Sequence, residues 1–367
     1  MKLSIIITSF NRCEKLEQLL EDITTQHRRL RSSEANEVEL VLVDNNSFDG
    51  TNEVAYRFIE NTGLSIKFFT ETQLGISNAR NLAIEKASGD LLAFLHDDIN
   101  LDDDWLKEVY KIACNCHDQE IGVYGGRSIP MWRDSFPDWF NIEPPFGVEQ
   151  AVFNGHSYGD IEQHYPFKSE FGTARVPNGI NVLGRKEVFE NCGTFRTDLG
   201  SSAAGGFGLY EDVEFFNYLE TLKIPILYTP QIIVFHPVDP SHMTIQNIRR
   251  WYFKSSRAAH WAAYTDRMGR QPNALFGIQP KYRKWVPSFL KDKLSGVPLF
   301  LYAKFSILII RWLMTHLTIG SKKRHWLSYK ISETMGEIEA SGLIQERYSS
   351  RKFSFKERLV KKGLAQG

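Results

Sequence analysis

The sequence predicts an α/β fold over residues 1–240, a mostly parallel mixed sheet flanked by helices, with a helical, basic extension over residues 241–367. Three observations carry this reading. Residues 1–126 alternate short apolar runs with amphipathic stretches of helix length, the order of elements that builds a parallel sheet. One apolar run, 91–95, stops at His96-Asp97-Asp98, and ligands of open α/β sheets bind at the carboxyl ends of strands. Charge is also segregated: residues 241–367 carry 24 Lys and Arg against 7 Asp and Glu, whereas residues 1–240 carry 20 against 37.

In chain order, strands are expected at 3–8, 38–44, 65–70, 91–95 and 121–124, with helices at about 12–25, 51–61, 76–87 and 103–115. The opening run is too short for a signal peptide and no small-residue cleavage site follows it, so it reads as a strand. Residues 127–177 break the rhythm with ten aromatics, among them Trp132 and Trp139, and with Pro137, Pro144, Pro145 and Pro166. Long irregular segments of this kind are commonly functional, and flat aromatic faces suit stacking on sugar rings. Order returns with a strand at 180–183 and a helix at 185–190. The glycine-rich GSSAAGGFG then leads into a helix over YEDVEFFNYLETL, and short strands follow at 226–228 and 232–235, the second ended by His236.

The extension opens with a basic, aromatic helix over 244–268. Residues 297–319 are long and apolar, but Lys304, Arg311 and His316 fall mid-span, where charge is costly in hydrocarbon. Lys304 and Arg311 share one helix face, and Lys322-Lys323-Arg324 follow. Two readings stand: a helix in the membrane interface drawn by anionic lipid, or a helix docked on the preceding domain. Such charge asymmetry matches an anionic partner surface.

Composition is that of a globular chain, 42% hydrophobic and 24% charged over 367 residues. The four cysteines show no zinc spacing and read as reduced thiols of a cytoplasmic protein, peripheral to the membrane if the extension docks there. No G-x-G-x-x-G or Walker loop follows the first strand, which argues against a dehydrogenase-type dinucleotide fold.

The chemistry gathers at strand ends. Asp97 and Asp98 offer the oxygen ligands that Mg²⁺ and Mn²⁺ prefer, and a cation held by few carboxylates shares its shell with a substrate phosphate. Thr8, Asn11 and Arg12 follow the first strand at a helix start able to meet a nucleotide. Asp44 ends the second strand, where a carboxylate accepts hydrogen bonds from a base or ribose. Asn78 and Arg80 open a helix in GISNARN, Arg80 being a partner for a diphosphate or for the acid pair. Glu211-Asp212 begin a helix, where one acid serves as general base. His236 is a further candidate metal ligand, since neutral imidazole suits Mn²⁺.

The ordered set SFNR, VDNNSFDG, GISNARN, FLHDD, PNGINVLGRKEVFENCGTF, GFGLYEDVEF and VFHP resembles family 2 glycosyltransferases of the GT-A, Rossmann-like fold over about residues 1–240. The resemblance implies a nucleotide-diphospho-sugar donor, a divalent metal and inversion at the anomeric carbon. Residues 1–126 would hold the nucleotide-sugar and 127–240 the acceptor. Asp44 would contact the base, Asp97 the ribose and Asp98 the metal, with His236 near metal and diphosphate. Asp212 would be the base and Glu211 would assist acceptor binding, alongside Asn178, Gly179, Trp132 and Trp139. Many members have an acid at the position of His96, whereas this chain reads His-Asp-Asp. The implied acceptor is a carbohydrate or lipid-linked glycan, as in polysaccharide or O-antigen assembly, and no nucleic acid partner is expected. A metal-dependent sugar nucleotidyltransferase and a non-catalytic membrane- or carbohydrate-binding protein are the competing classes. The first would want a glycine-rich, basic phosphate loop after the first strand. The second leaves the acids at three strand ends unexplained.

Overall fold

A computed structural model describes residues 2–35, 37–115, 120–132, 140, 150–169, 172–201, 207–265, 293–294, 297–318 and 321–361. The chain divides into two compact units, one of Met1–Pro137, Ile142–Pro144 and Val148–Met243, the other of Asp138–Asn141, Pro145–Gly147 and Thr244–Gly367.

The first unit is built on one sheet. Strands β1 (Leu3–Ser9), β2 (Val38–Asp44), β3 (Ser65–Thr70) and β4 (Leu91–His96) form its parallel part in the order β3-β2-β1-β4. Both faces of β1 and β2 are covered, which is why their apolar runs barely alternate. Crossover helices α1 (Cys13–His27) and α3 (Thr51–Asn61), with a short α2 (Ser32–Ala35) between, lead outward from β1 to β3. Helix α4 (Ile76–Lys86) returns the chain to β4 on the other side of β1. The strand order therefore reverses at β1, and a crevice opens at the carboxyl ends of β1 and β4.

The second half of the sheet is mixed. After a short β5 (Asn100–Leu101) and α5 (Trp105–Asn115) come β6 (Val123–Trp132), a short helical turn Gln150–Phe153, β7 (Gln163–His164) and the hairpin of β8 (Phe167–Ser169) and β9 (Gly172–Ala174). Strand β10 (Asn181–Arg185) lies antiparallel between β4 and β6. Helices α6 (Lys186–Cys192) and α7 (Glu211–Thr221) precede β11 (Ile226–Val238), which runs parallel to β6 and antiparallel to β5 and β7. One face of the sheet packs on Leu16, Phe58 and Trp105 of α1, α3 and α5. The other packs on Ala83, Phe189 and Phe215 of α4, α6 and α7. Trp105 is fully buried and donates to Asn181 Oδ1 at 3.1 Å.

Two expectations change. The runs 226–228 and 232–235 are one strand, whose register against β6 shifts between Tyr228 and Ile233. Pro230 lies in that gap and has no N–H for the ladder, so the strand bulges rather than ends. His236 consequently lies within β11, not at its end. Strand β6 also runs on to Trp132, beyond the expected 121–124, because its partner β11 continues alongside it.

The second unit is helical. Thr244 caps α8 (Ile245–Tyr264) by accepting from the Asn247 N–H at 3.2 Å. A two-residue pairing of β12 (Lys293–Leu294) with β13 (Val297–Pro298) precedes α9 (Leu299–Thr318) and the 41-residue α10 (Ser321–Lys361). Tyr252 of α8 stacks on Tyr329 of α10 with ring centres 5.6 Å apart. Gly336 allows this close packing, since a Cβ there would strike the Phe253 carbonyl. Among the described residues no helix is long and apolar enough to cross a membrane.

Candidate functional site

The crevice is assembled by loops that cap one another. Asn11 adopts φ 53°, a left-handed conformation that asparagine tolerates. Its N–H donates to Ser47 Oγ and its Oδ1 accepts from the Phe48 N–H, both at 2.9 Å. Asp49 accepts from the Cys13 N–H at 3.0 Å, which caps α1 from the neighbouring loop. Asn45 is buried; its Nδ2 donates to the Glu71 and Gln73 carbonyls and its Oδ1 accepts from the Gly75 N–H. The turns after β1, β2 and β3 are thereby tied into one rim. Asp44, buried at the end of β2, accepts from the Ser47 N–H at 3.1 Å. Thr8 is half-buried on β1, opposite His96. Phe10 and Phe48 meet edge-to-face on the exposed side of this rim.

The acid pair follows β4. Ser9 Oγ donates to Asp97 Oδ2 at 2.7 Å, and Arg12 Nη1 donates to Asp97 Oδ1 at 2.9 Å and to Asp98 Oδ2 at 2.6 Å. Burial pushes the Asp97 carboxyl up, and Arg12 opposes it. For Asp98 burial acts in the same direction, but His236, His96 and Arg12 outweigh it and hold the carboxyl well below the usual carboxylate range. His236 Nε2 lies 3.6 Å and His96 Nδ1 3.8 Å from Asp98 Oδ1.

A second acid pair stands at the start of α7. Tyr210, at φ 85° and ψ 4°, turns the chain into the helix, a left-handed backbone that costs a non-glycine residue about 1–2 kcal/mol. Glu211 is buried and accepts from Arg80 Nη1 at 2.8 Å. Burial and the neighbouring Asp212 push its carboxyl up to about 7 against the pull of Arg80. Asp212 Oδ2 accepts from the Gly179 N–H at 2.5 Å and Oδ1 from the Val213 N–H at 2.7 Å.

His96 spans the two acid pairs. Its Nε2 lies 3.1 Å from Arg80 Nη2. Guanidinium only donates, so Nε2 accepts and the proton of the neutral ring sits on Nδ1, facing Asp98. Burial and Arg80 push this imidazole down to about 3. The substitution of His for an acid at this position thus places a neutral group between two carboxylate centres.

The structure brings Thr8, Arg12, Asp97, Asp98 and His236 to one end of the sheet, and Gly179, Glu211 and Asp212 to the adjoining one. Several placements differ from expectation. Arg80 does not reach the acid pair: it is buried, and Glu211, the Gly179 carbonyl and His96 occupy its donors. The arginine on the acid pair is Arg12, because the α1 cap lies directly beside the β4 end. Asn78 donates to the Leu74 carbonyl at 3.2 Å and holds its own helix start. Trp132 packs on Phe153 with ring centres 5.1 Å apart. Asn178 is half-buried, and its Oδ1 makes no hydrogen bond. Trp139 lies outside the described residues. Ser9, Asn45, Tyr210 and Asn154, whose Nδ2 donates to His236 Nε2 at 2.8 Å, are given no role by the sequence, and His96 stands out there only as a departure from the family pattern. Only the Asn154-Gly155 dipeptide, a turn signal, offered a hint.

Among the described residues no three His, Cys, Asp or Glu side chains form a ready-made metal cage. Yet Asp98 Oδ1 is buried without a hydrogen-bond partner, and the His236 nitrogen nearest it, Nε2, offers its lone pair to a cation once the Asn154 amide turns aside. An acceptor oxygen held ionised beside an imidazole suits a divalent cation that takes its remaining ligands from a diphosphate and water.

A model of the glycosyl transferase family 2 matches residues 4–193. The chain belongs to this family. This family 2 glycosyltransferase is 34% identical over 240 residues to glycosyltransferase AglE of Haloferax volcanii, an alignment spanning 65% of this chain and 67% of the relative. It is 25% identical over 187 residues to the succinoglycan biosynthesis protein ExoM of Rhizobium meliloti, spanning 50% and 51%. Over 112 residues it is 27% identical to a cholesterol galactosyltransferase of Borreliella burgdorferi, spanning 30% and 29%. Its fold is that of a mannosyltransferase from Pyrobaculum calidifontis solved with GDP-Man and Mn²⁺, with TM-score 0.52, 16% identity, and coverage of 94% of this chain and 86% of that one. The curled, mostly parallel sheet is thus the GT-A sheet.

Proposed function

We propose that this glycosyltransferase moves a sugar, with inversion, from a nucleotide-diphospho-sugar to an acceptor hydroxyl on a carbohydrate or lipid-linked glycan, in polysaccharide, O-antigen or related glycoconjugate assembly. The observation that carries the reading is the His96 bridge, which sets an acid pair suited to the donor beside one suited to the acceptor. The donor complex of the Pyrobaculum mannosyltransferase supports the same donor class.

Asp44 accepts hydrogen bonds from the base, with its carboxylate fixed by Ser47. Asp97, oriented by Ser9 and Arg12, accepts from the ribose hydroxyls. Thr8 and Asn11 line the path between them, and Asn78 stiffens its far wall. Asp98 and His236 would hold Mn²⁺ or Mg²⁺, whose charge, when bound, offsets that building on the departing diphosphate. Arg80 contributes through Glu211 rather than through phosphate.

Asp212 takes the proton from the acceptor hydroxyl, which attacks the anomeric carbon on the face opposite the diphosphate. The new C–O bond forms as the C–O bond to phosphate breaks. Gly179 and Val213 N–H groups aim the Asp212 carboxylate. Glu211 holds the acceptor side in place, with Asn178, Gly179 and Trp132 lining it. A single base suffices for inversion, since no covalent enzyme intermediate is needed.

The test is a panel of nucleotide-sugars assayed for release of free nucleoside diphosphate, with the anomeric configuration of the product read by NMR. An inverted product from one donor is expected. A retained configuration, or no turnover of any donor with wild-type protein while nucleotide still binds, overturns the assignment.

A further inference from the structure

Helix α9 has two faces of different character. Leu301 and Thr315 are buried on one of them. On that face Lys304 Nζ donates to Glu337 Oε2 of α10 at 2.7 Å, so this mid-helix charge is paired inside the second unit. At 100° per residue the opposite arc carries Ile307, Ile310, Leu313 and Met314, exposed to 56%, 59%, 54% and 52%. Arg311, exposed on the same helix, sits at the edge of that arc. Four adjoining large apolar side chains on one exposed helix face mark an interaction surface rather than scattered surface residues.

Charge selects the partner. The extension carries 24 basic against 7 acidic residues, and Lys322-Lys323-Arg324 follow α9 in the chain. A second copy meeting it extension to extension would bring the same positive charge to the contact and be repelled, and a copy offering its acidic residues 1–240 would satisfy the charge but set the apolar arc against a charged surface. Nucleic acid would satisfy the charge and leave the apolar arc wet. An anionic bilayer surface meets both demands, with headgroups for the basic residues and the acyl boundary for the arc. We infer that α9 lies in the plane of an anionic lipid membrane, with Ile307, Ile310, Leu313 and Met314 sunk past the headgroups and Arg311 at the phosphate level. The inference is independent of the sugar chemistry, because none of these residues belongs to the catalytic site.

The full chain is floated with vesicles of phosphatidylcholine alone and of phosphatidylcholine mixed with phosphatidylglycerol. Binding to the mixed vesicles, weakened by salt, is expected, with little binding to the neutral ones. The double variant Ile310→Asn/Leu313→Asn lowers the vesicle-bound fraction by roughly tenfold or more while leaving diphosphate release in solution unchanged. A nitroxide on Ile307→Cys gives a reading that needs no loss of function: its accessibility to oxygen rises when mixed vesicles are added. Equal flotation of wild type and double variant, absence of wild type from the mixed vesicles, or a dimer that the double variant abolishes would each overturn the inference. So would nucleic acid binding by a protein that ignores both vesicles.

Discussion

Arg80 donates to the Glu211 carboxylate at 2.8 Å, and both side chains are buried. The pair joins the start of α4 to the start of α7 and fixes where the second acid pair stands relative to the first. Arg80→Met leaves Glu211 buried without its counter-ion; its carboxyl, already pushed up to about 7, takes up a proton, and the lost hydrogen bonds cost about 1–3 kcal/mol. A fall in melting temperature is expected by calorimetry. The double variant Arg80→Met/Glu211→Gln falls by little more than the single one, because each change removes the same contact. Additive losses would show that the two residues act separately.

Tyr210 holds its left-handed backbone immediately before Glu211. A β-branched residue tolerates that conformation least, so Tyr210→Val destabilises by about 1–2 kcal/mol. It also swings both acids, lowering kcat more than it raises the donor KM. Tyr210→Gly accepts the backbone freely and keeps more of the activity. Steady-state kinetics of the two variants decide the matter; the reverse ranking would refute a conformational role.

The parallel core was readable because β1, β2 and β4 are continuous apolar runs ended by polar turns, and Asp44, Asp97 and Asp98 were found by standing at those ends. What stayed hidden depends on pairings distant in sequence. Nothing local tells whether Arg12 or Arg80 meets the acid pair, since the choice is made by which helix start abuts β4. The runs 226–228 and 232–235 read as two strands and are one with a bulge, because β6 holds it on both sides of Pro230. The extension is legible as helical, but the bounds of α10 are not, because its charged, small and polar residues show little periodicity, and its packing on α8 is what orders it.

His156 is buried against Tyr165, with Nε2 and the Tyr165 hydroxyl 2.5 Å apart. Burial pushes its imidazole down from 6.5 to about 3. The unfolded chain therefore takes up a proton that the folded chain refuses. This stability is complete above pH 6.5 and is lost as pH falls toward 3. Near pH ~4.5 the loss is roughly 2–3 kcal/mol. Urea denaturation at a series of pH values should show that slope, and His156→Phe should cut it by about half, the remainder coming from His96, whose imidazole is pushed down to about 3 as well. An unchanged slope in the variant would assign the acid sensitivity elsewhere.

Asp98→Ala removes the unpartnered buried oxygen beside His236. Titration calorimetry with Mn²⁺ and a nucleoside diphosphate should show the cation-dependent part of nucleotide affinity disappear, with the part borne by Asp44 and Asp97 remaining. Asp212→Asn acts on the other centre. It should leave that titration unchanged and lower kcat by about 10²–10⁴-fold. A variant that lost nucleotide affinity instead would place Asp212 on the donor side.

Gly179 is wedged inside the second centre, between Asp212 and Arg80. Its N–H donates to Asp212 and its carbonyl accepts from Arg80. A Cβ at this position would lie 2.8 Å from Arg80 Nη2 and 3.1 Å from Asp212 Cβ. Arg80 is held by Glu211 and His96 and has little room to retreat, so the strain falls on the Asp212 carboxylate and on α7. Gly179→Ala therefore costs about 1–3 kcal/mol of stability. It lowers kcat as well, since a carboxylate displaced by a fraction of an ångström no longer lines up with the acceptor hydroxyl. Gly63→Ala is the control, because a Cβ there meets nothing within 4 Å. Full activity in Gly179→Ala would mean that Arg80 yields after all, and that the bridge between the acid pairs is looser than its hydrogen bonds imply.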